Sequence, residues 1–298
     1  MNTAQWLCII YTIWWHPYIN PINLGFSSFL DGGPVRPEPG WYFQGAFQYY
    51  NAHKFLDGCG KIVGTPSPHF NYTQGVVTAL YQSKAEFLYA HGGISLNLPF
   101  VPTIHLDKNA VGITESGAGI CDFILGFFLQ FKPIYFNNRP ILVQRLQFET
   151  IFPTGKFKPA FLINPGNGCY SIDVYWAGTL FLAPRWAASW RMYYYWNAKI
   201  KSIQVQEGPK YVINYSTEFE VIKNLWIGAA GYFEQQLKDT ALRNVPVPQS
   251  KERIFAIGPG ALYSPTKDLH FWANIYFEKL ARNRPQGISA IFRFLYHF

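Results

Sequence analysis

RWAASWRMYYYWN, residues 185–197, is ordered in steps of two. Trp186, Ala188, Trp190, Met192, Tyr194 and Trp196 fall on one side of an extended chain, and Arg185, Ala187, Ser189, Arg191, Tyr193 and Asn197 fall on the other. Such alternation marks a strand whose two faces meet different environments. One face is apolar from end to end and the other is mixed. YVINYSTEFEV, residues 211–221, repeats the pattern, with Ile213, Tyr215, Phe219 and Val221 opposite Asn214, Ser216, Glu218 and Glu220. So does the C-terminal ISAIFRFLYHF, residues 288–298, with Ile288, Ala290, Phe292, Phe294, Tyr296 and Phe298 opposite Ser289, Arg293 and His297.

Extending this reading along the chain predicts about twelve strands, near 41–52, 70–83, 86–99, 118–131, 141–152, 170–182, 185–198, 210–222, 225–237, 251–263, 269–280 and 288–298. Most run about ten residues or more, which exceeds the ~5–6 usual in soluble sheets and matches the ~9–11 that a tilted strand needs to cross a bilayer. The connections alternate as well. Short ones fall near 83–85, 132–140, 183–184, 223–224 and 264–268, while the others are longer and rich in Gly, Pro and Asn, such as TGKFKPAFLINPGNG at 154–168. This is the pattern of an up-and-down outer-membrane barrel with tight periplasmic turns and long external loops. Closure lets every backbone group find a partner in a neighbouring strand, as lipid requires.

Composition agrees. Aromatic residues make up 19% of the 298 residues and charged residues only 14%, against a typical charged share of about 25%. A soluble sandwich or propeller would rarely leave so many aromatics without a core. The fold class expected is therefore all-β, a transmembrane antiparallel barrel in the bacterial outer membrane, and outer-membrane lipid is its first partner. Trp41, Tyr170, Trp186, Trp196 and Tyr296 suit the interfacial aromatic girdles. No run approaches the ~18 apolar residues of a spanning helix. The net charge of +8 is spread without a basic run, so no nucleic-acid partner is expected.

The N-terminus carries WLCIIYTIWW at residues 6–15, about the length of a signal-peptide core, and residues 1–23 are read as a signal peptide or N-terminal segment. Cys8, Cys59, Cys121 and Cys169 show no zinc spacing, and no metal or other cofactor is expected. Cys59, Cys121 and Cys169 fall at predicted external loops or strand ends, where a bridge between two of them is open. In DGGPVRPEPGWYFQ, residues 31–44, the prolines around Glu38 remove the donors that a phosphate cradle would use. The stretch reads instead as a hinge. Residues 24–40 are expected on the periplasmic side as a plug, because Phe26, Phe29 and Leu30 are too apolar for a free tail, and residues 41–298 are expected to form the barrel.

Several stretches resemble one family: GGPVRPEPGWYF at 32–43, FETIFPTGKF at 148–157 with NPGNG at 164–168, AGTLFLAP at 177–184, GYFEQQLKD at 231–239 and the terminal aromatic strand. They are similar to the phenol meta-degradation pathway transporter family of outer-membrane proteins, over most of the chain after about residue 24. The resemblance implies an outer-membrane barrel associated with uptake of small hydrophobic or aromatic compounds. Lys156 and Phe157 stand where the family pattern has a Tyr-Asp-like pair. The final Phe298 looks like the C-terminal sorting signal by which the barrel-assembly machinery is engaged.

With the apolar faces toward lipid, the opposite faces line the lumen. They carry a charge set of Asp122, Arg145, Glu149, Asp173, Arg191, Glu218, Glu220, Glu234, Glu278 and Arg293, in which Arg145, Asp173 and Arg191 occupy consecutive strands and are positioned to pair. They also carry an aromatic lining of Tyr42, Tyr89, Tyr175, Tyr193, Tyr195, Tyr232, Trp272 and Tyr276, able to stack on an aromatic solute while offering hydroxyl tips. No Ser–His nucleophile pair assembles on these faces, since His91 and His270 face inward on separate strands, and no enzyme is expected. The reading is a channel for small hydrophobic or aromatic compounds; the competing one is a closed structural or adhesive barrel whose external loops bind a partner.

Overall fold

The structure is a computed structural model that describes residues 23–33, 38–64, 67–107 and 113–298. The expected signal peptide lies outside the described residues except for Asn23, and so do residues 34–37 of the hinge.

Twelve strands form the wall: β1 (Gly40–Leu56), β2 (Phe70–Phe87), β3 (Ala90–Leu106), β4 (Phe123–Phe131), β5 (Arg139–Phe152), β6 (Ser171–Ala183), β7 (Trp186–Asn197), β8 (Lys210–Ile222), β9 (Leu225–Gln236), β10 (Arg253–Tyr263), β11 (Leu269–Arg282) and β12 (Arg284–His297). Each pairs antiparallel with its neighbours in sequence. The ring closes where β1 meets β12, from Tyr42↔His297 up to Leu56↔Arg284. Closure leaves no sheet edge facing the bilayer.

The alternation seen in the sequence is the alternation between lipid and lumen. Every strand places large apolar side chains on the outer surface: Phe47 on β1, Val77 on β2, Leu96 on β3, Phe127 on β4, Phe148 on β5, Trp176 on β6, Tyr194 on β7, Phe219 on β8, Ile227 on β9, Ile257 on β10, Phe277 on β11 and Phe292 on β12 are all exposed. In water such a surface would be an aggregation hazard, and in a bilayer it is the solvated face. The intervening residues are buried and largely polar, among them Gln48, Gln74, Gln130, Gln147, Asn214 and Asn274.

The first periplasmic hairpin lies further along the chain than the expected turn at 83–85. The strands continue to Phe87 and Ala90, and the turn is made by Leu88 and Tyr89, both at positive φ (49° and 60°). Asn137 and Asn138 turn the next hairpin in the same way, with φ of 49° and 59°. Paired positive φ angles match the twist of the flanking strands, and Asn adopts them readily where Leu and Tyr do not. The Leu-Tyr turn was therefore invisible to a search for turn residues. External connections are long except the last, where only Asn283 separates β11 from β12.

A protein built this way should migrate differently on gels before and after boiling in detergent, since closure of β1 on β12 resists dodecyl sulfate until heated. Identical mobility with and without heating would contradict the closed barrel.

Candidate functional site

The lumen is occupied along one side by the N-terminal segment, residues 23–33. Leu24, Ser27, Ser28, Phe29 and Asp31 are buried, and Phe26 and Leu30 pack partly buried against the same inner cluster. Directional polar contacts hold the segment to the wall. Gly25 N donates to Asn214 Oδ1 (3.0 Å) and Tyr276 OH donates to Gly25 O (2.9 Å). Ser28 Oγ donates to Asn274 Oδ1 (3.0 Å) and Trp272 Nε1 to Phe29 O (3.0 Å). Nearer the periplasmic end, Leu30 N donates to Glu218 Oε1 (3.1 Å), Gly32 N to Thr179 Oγ1 (2.9 Å), and Gln130 Nε2 to Gly32 O (3.0 Å). Asp31 receives Arg191 as a two-pronged ion pair, Nε to Oδ2 at 2.6 Å and Nη2 to Oδ1 at 2.7 Å, the strong form of a charge-assisted bond. Glycine is required at the tightest point: a Cβ on Gly32 would lie 2.3 Å from Val143 O and 2.6 Å from Thr179 N, both backbone atoms of the wall.

At the periplasmic rim the tether of this segment meets the barrel again. Tyr42 stacks on His297 (centroids 4.2 Å apart) and its hydroxyl donates to Glu38 O (2.5 Å). Ligating atoms of Glu38, Asp268 and His297 lie within 4.8 Å of one another. The positive charge there comes from Lys267, 3.4 Å from Glu38 and 3.9 Å from Asp268.

Beside the segment a cavity of about 130 Å³ remains, bounded on the far side by β1 to β3 through neutral residues such as Gln44, Gln74, Thr78, Ser95 and Asn97. On the near side it meets Arg145, Gln147, Glu149, Asp173, Tyr175, Arg191, Tyr193 and Arg293, with Phe26 of the segment. The arginines sit on rings: Arg145 over Phe128 (4.4 Å), Arg191 over Tyr175 (4.5 Å) and Arg293 over Trp272 (3.9 Å). These cation–π contacts fix the orientation of long side chains inside the barrel.

The charge set divides into three groups, and some members stand elsewhere than expected. Arg145, Glu149, Asp173, Arg191 and Arg293 line the cavity, and Glu218 lies just under the segment, accepting from Ser189 Oγ (2.6 Å). Asp173 does not pair with Arg145 or Arg191; it lies in register beside Glu149, and Arg191 is taken by Asp31. Glu234 and Glu278 belong to a higher cluster. Arg284 Nη1 lies 2.7 Å from Glu234, and Lys210 Nζ lies 2.5, 3.7 and 2.8 Å from Glu207, Glu234 and Glu252. Tyr50 and Tyr232 both donate to Glu278.

Asp122 is not a lumen residue. It precedes β4 and ties two external loops together, accepting from Gly155 N (2.8 Å) and Asn167 N (2.7 Å). Glu220 is not part of a lumen network either, since it caps the periplasmic turn by accepting from Asn224 N (2.9 Å).

Of the aromatic set, Tyr175, Tyr193, Tyr195, Tyr232, Trp272 and Tyr276 are buried and inward, and Tyr42 is at the rim. Tyr89 is not in the lining: it is 84% exposed in the first periplasmic turn, because the strands outrun the expected turn and carry it beyond the wall. Cys59, Cys121 and Cys169 are unbridged. Asp31 and Lys210 escaped the sequence reading. Lys210 could have been found by strand parity with Val212 and Asn214, whereas nothing in the sequence signals the partner of Asp31.

The family model described as "Putative MetA-pathway of phenol degradation" matches residues 52–294. The chain belongs to this family. No curated protein matches the sequence. Among solved structures, the fold is similar to that of an outer-membrane channel from Pseudomonas putida F1 of the group COG4313, with a TM-score of 0.77, 13% identity, and coverage of 88% of this chain and 97% of that one. The CymD monoaromatic hydrocarbon channel aligns with a TM-score of 0.47 and 9% identity over 89% of this chain and 90% of that one, and the KdgM porin with 0.42 and 9% over 85% and 99%. The closed barrel is that of the Pseudomonas putida F1 channel.

The external cluster makes one pH dependence. Burial pushes the Glu252 carboxyl up to about 7, against the pull of Lys210 toward the charged form. An unfolded chain releases this proton near pH 4.3, so between the two values the folded state holds more protons. The contribution of this group is full below about pH 4.3 and is lost as the pH rises through about 7. The thermal midpoint of the detergent-solubilised protein should therefore fall between pH 5 and 8, and Glu252→Gln should flatten that slope. An unchanged slope in the variant would assign the pH dependence to another group.

Proposed function

We propose that the protein is an outer-membrane channel for small hydrophobic or aromatic compounds, and that the N-terminal segment, residues 24–33, restricts passage through it. One observation carries the reading: the segment is held in the lumen by exchangeable hydrogen bonds and the ion pairs of Asp31, next to a cavity that mixes tyrosines with amides and arginines. A barrel interior that served only as filling would gain more from apolar packing than from a half-polar cavity. A single-ring compound finds in Tyr175 and Tyr193 flat apolar area with hydroxyl tips, and in Gln74, Gln147 and Asn97 partners for a polar substituent.

The segment acts as a plug that yields by losing its contacts one by one. Gly25, Ser28, Leu30 and Gly32 meet Asn214, Asn274, Glu218 and Thr179 on three strands, β8, β11 and β6, and each of these wall groups can return to water when the segment leaves. Family membership supports passage of aromatic compounds, and the barrel fold supports a channel.

In planar bilayers, deletion of residues 24–33 should raise single-channel conductance several-fold. Gly32→Val, which forces a side chain into the wall backbone, should raise it in the same direction. Tyr193→Ala with Tyr195→Ala should slow liposome uptake of benzyl alcohol. A barrel that conducts neither ions nor benzyl alcohol, with or without the segment, would favour the closed structural or adhesive barrel.

A further inference from the structure

Arg145 differs from the other inward cations of the wall. Arg191 is neutralised by Asp31, Arg284 by Glu234, and Lys210 by three carboxylates. Arg145 has no carboxylate within ion-pair distance among the described residues. Its Nε donates to the neutral Gln130 Oε1 (2.9 Å), and its guanidinium lies flat over Phe128. Arg293 faces the same cavity, is only 7% exposed, reaches Asp31 at 3.9 Å, and leaves its buried Nε without a protein partner. An arginine fixed in orientation and lacking its counterion is a prepared receptor for a planar oxyanion.

We propose that the cavity beside Arg145 is a binding site for monoaromatic carboxylates, which makes anionic single-ring acids the substrate class of the channel. The inference rests on the channel reading given above. The chemistry of the cavity matches both halves of such a solute. The Arg145 fork takes the carboxylate in the plane of the guanidinium. Tyr175, Tyr193, Phe26 and Ile124 offer apolar and aromatic surface to the ring.

The cavity, about 130 Å³, is close to the roughly 150 Å³ of an apolar cavity known to hold benzene. The two acids of the cavity stand apart from this point. Glu149 is four residues along β5 from Arg145, a backbone separation of about 13 Å at ~3.3 Å per residue, with Gln147 between them. Asp173 is its cross-strand neighbour. Together they form a carboxyl pair on the external side of the site, and Arg145, with no carboxylate at ion-pair distance among the described residues, lies beyond it.

The test compares benzoate with the neutral benzyl alcohol as blockers of ion current at pH 7.5 in planar bilayers. The proteins are the wild type, Arg145→Gln and Arg145→Lys, each first shown to be folded by heat-modifiable migration. The wild-type channel should be interrupted by benzoate at about tenfold lower concentration than by benzyl alcohol, a ratio typical of one charge-assisted fork. That ratio should collapse toward one in Arg145→Gln and recover only in part in Arg145→Lys, which keeps the charge without the fork. Should Arg145→Gln fail to fold, the wild-type ratio still decides. A ratio near one in the wild type, with benzyl alcohol still passing into liposomes, overturns the carboxylate site and leaves the channel reading standing. A barrel that passes neither solute overturns both.

Discussion

Lipid offers no hydrogen-bond partner, and the rest of the structure follows from that constraint. The backbone groups of β1 and β12 must find each other, and they do so over almost their whole length. Once the ring is closed, side-chain parity has only two destinations. Aromatic and aliphatic residues face the acyl chains, and the opposite face encloses a lumen that must be filled by side chains, water or another part of the chain.

In this protein another part of the chain enters the lumen. The N-terminal segment is bonded to β4, β6, β7, β8 and β11 and leaves the β1–β3 side of the wall to the cavity. Its attachment is polar and spread over many partners. An ion pair such as Asp31–Arg191 repays its desolvation only when geometry and neighbouring hydrogen bonds are good, and here the fork is complete. The contacts specify one position for the segment while keeping it separable, since every group involved is also well solvated when released. The higher cluster around Lys210 and Arg284 has a different character: it is deeply buried and joins β8, β9 and β12 near the external side.

Much of this was legible in the sequence because lipid enforces the period-two pattern over most of each strand, interrupted only at local register shifts such as those at Thr73/Gly75 and Ala52/Lys54. Trp186 to Trp196 point outward and Arg191 to Tyr195 inward, as their spacing requires. What escaped had local or nonlocal causes. Tyr89 was misplaced because Leu88 and Tyr89 make a positive-φ turn with residues that give no turn signal. Asp122 shares strand-like spacing with the lumen residues, yet β4 begins one residue later and its carboxylate accepts from two backbone donors of the 153–170 loop. The pairing of Asp31 with Arg191 spans 160 positions, and no local pattern encodes it. Charge-pairing on consecutive strands was the wrong expectation for Asp173, because the N-terminal segment supplies a better-placed partner for Arg191.

Motion of the segment is the central claim, and a reversible covalent lock tests it most directly. Ser28 and Asn274 touch through their side chains at 3.0 Å, so Ser28→Cys with Asn274→Cys, in a chain whose exposed Cys59 is replaced by Ser, can be bridged by oxidation. Benzyl alcohol flux into liposomes should fall on oxidation and recover on reduction. Equal flux in the two states, with the bridge verified by mass, would contradict the account.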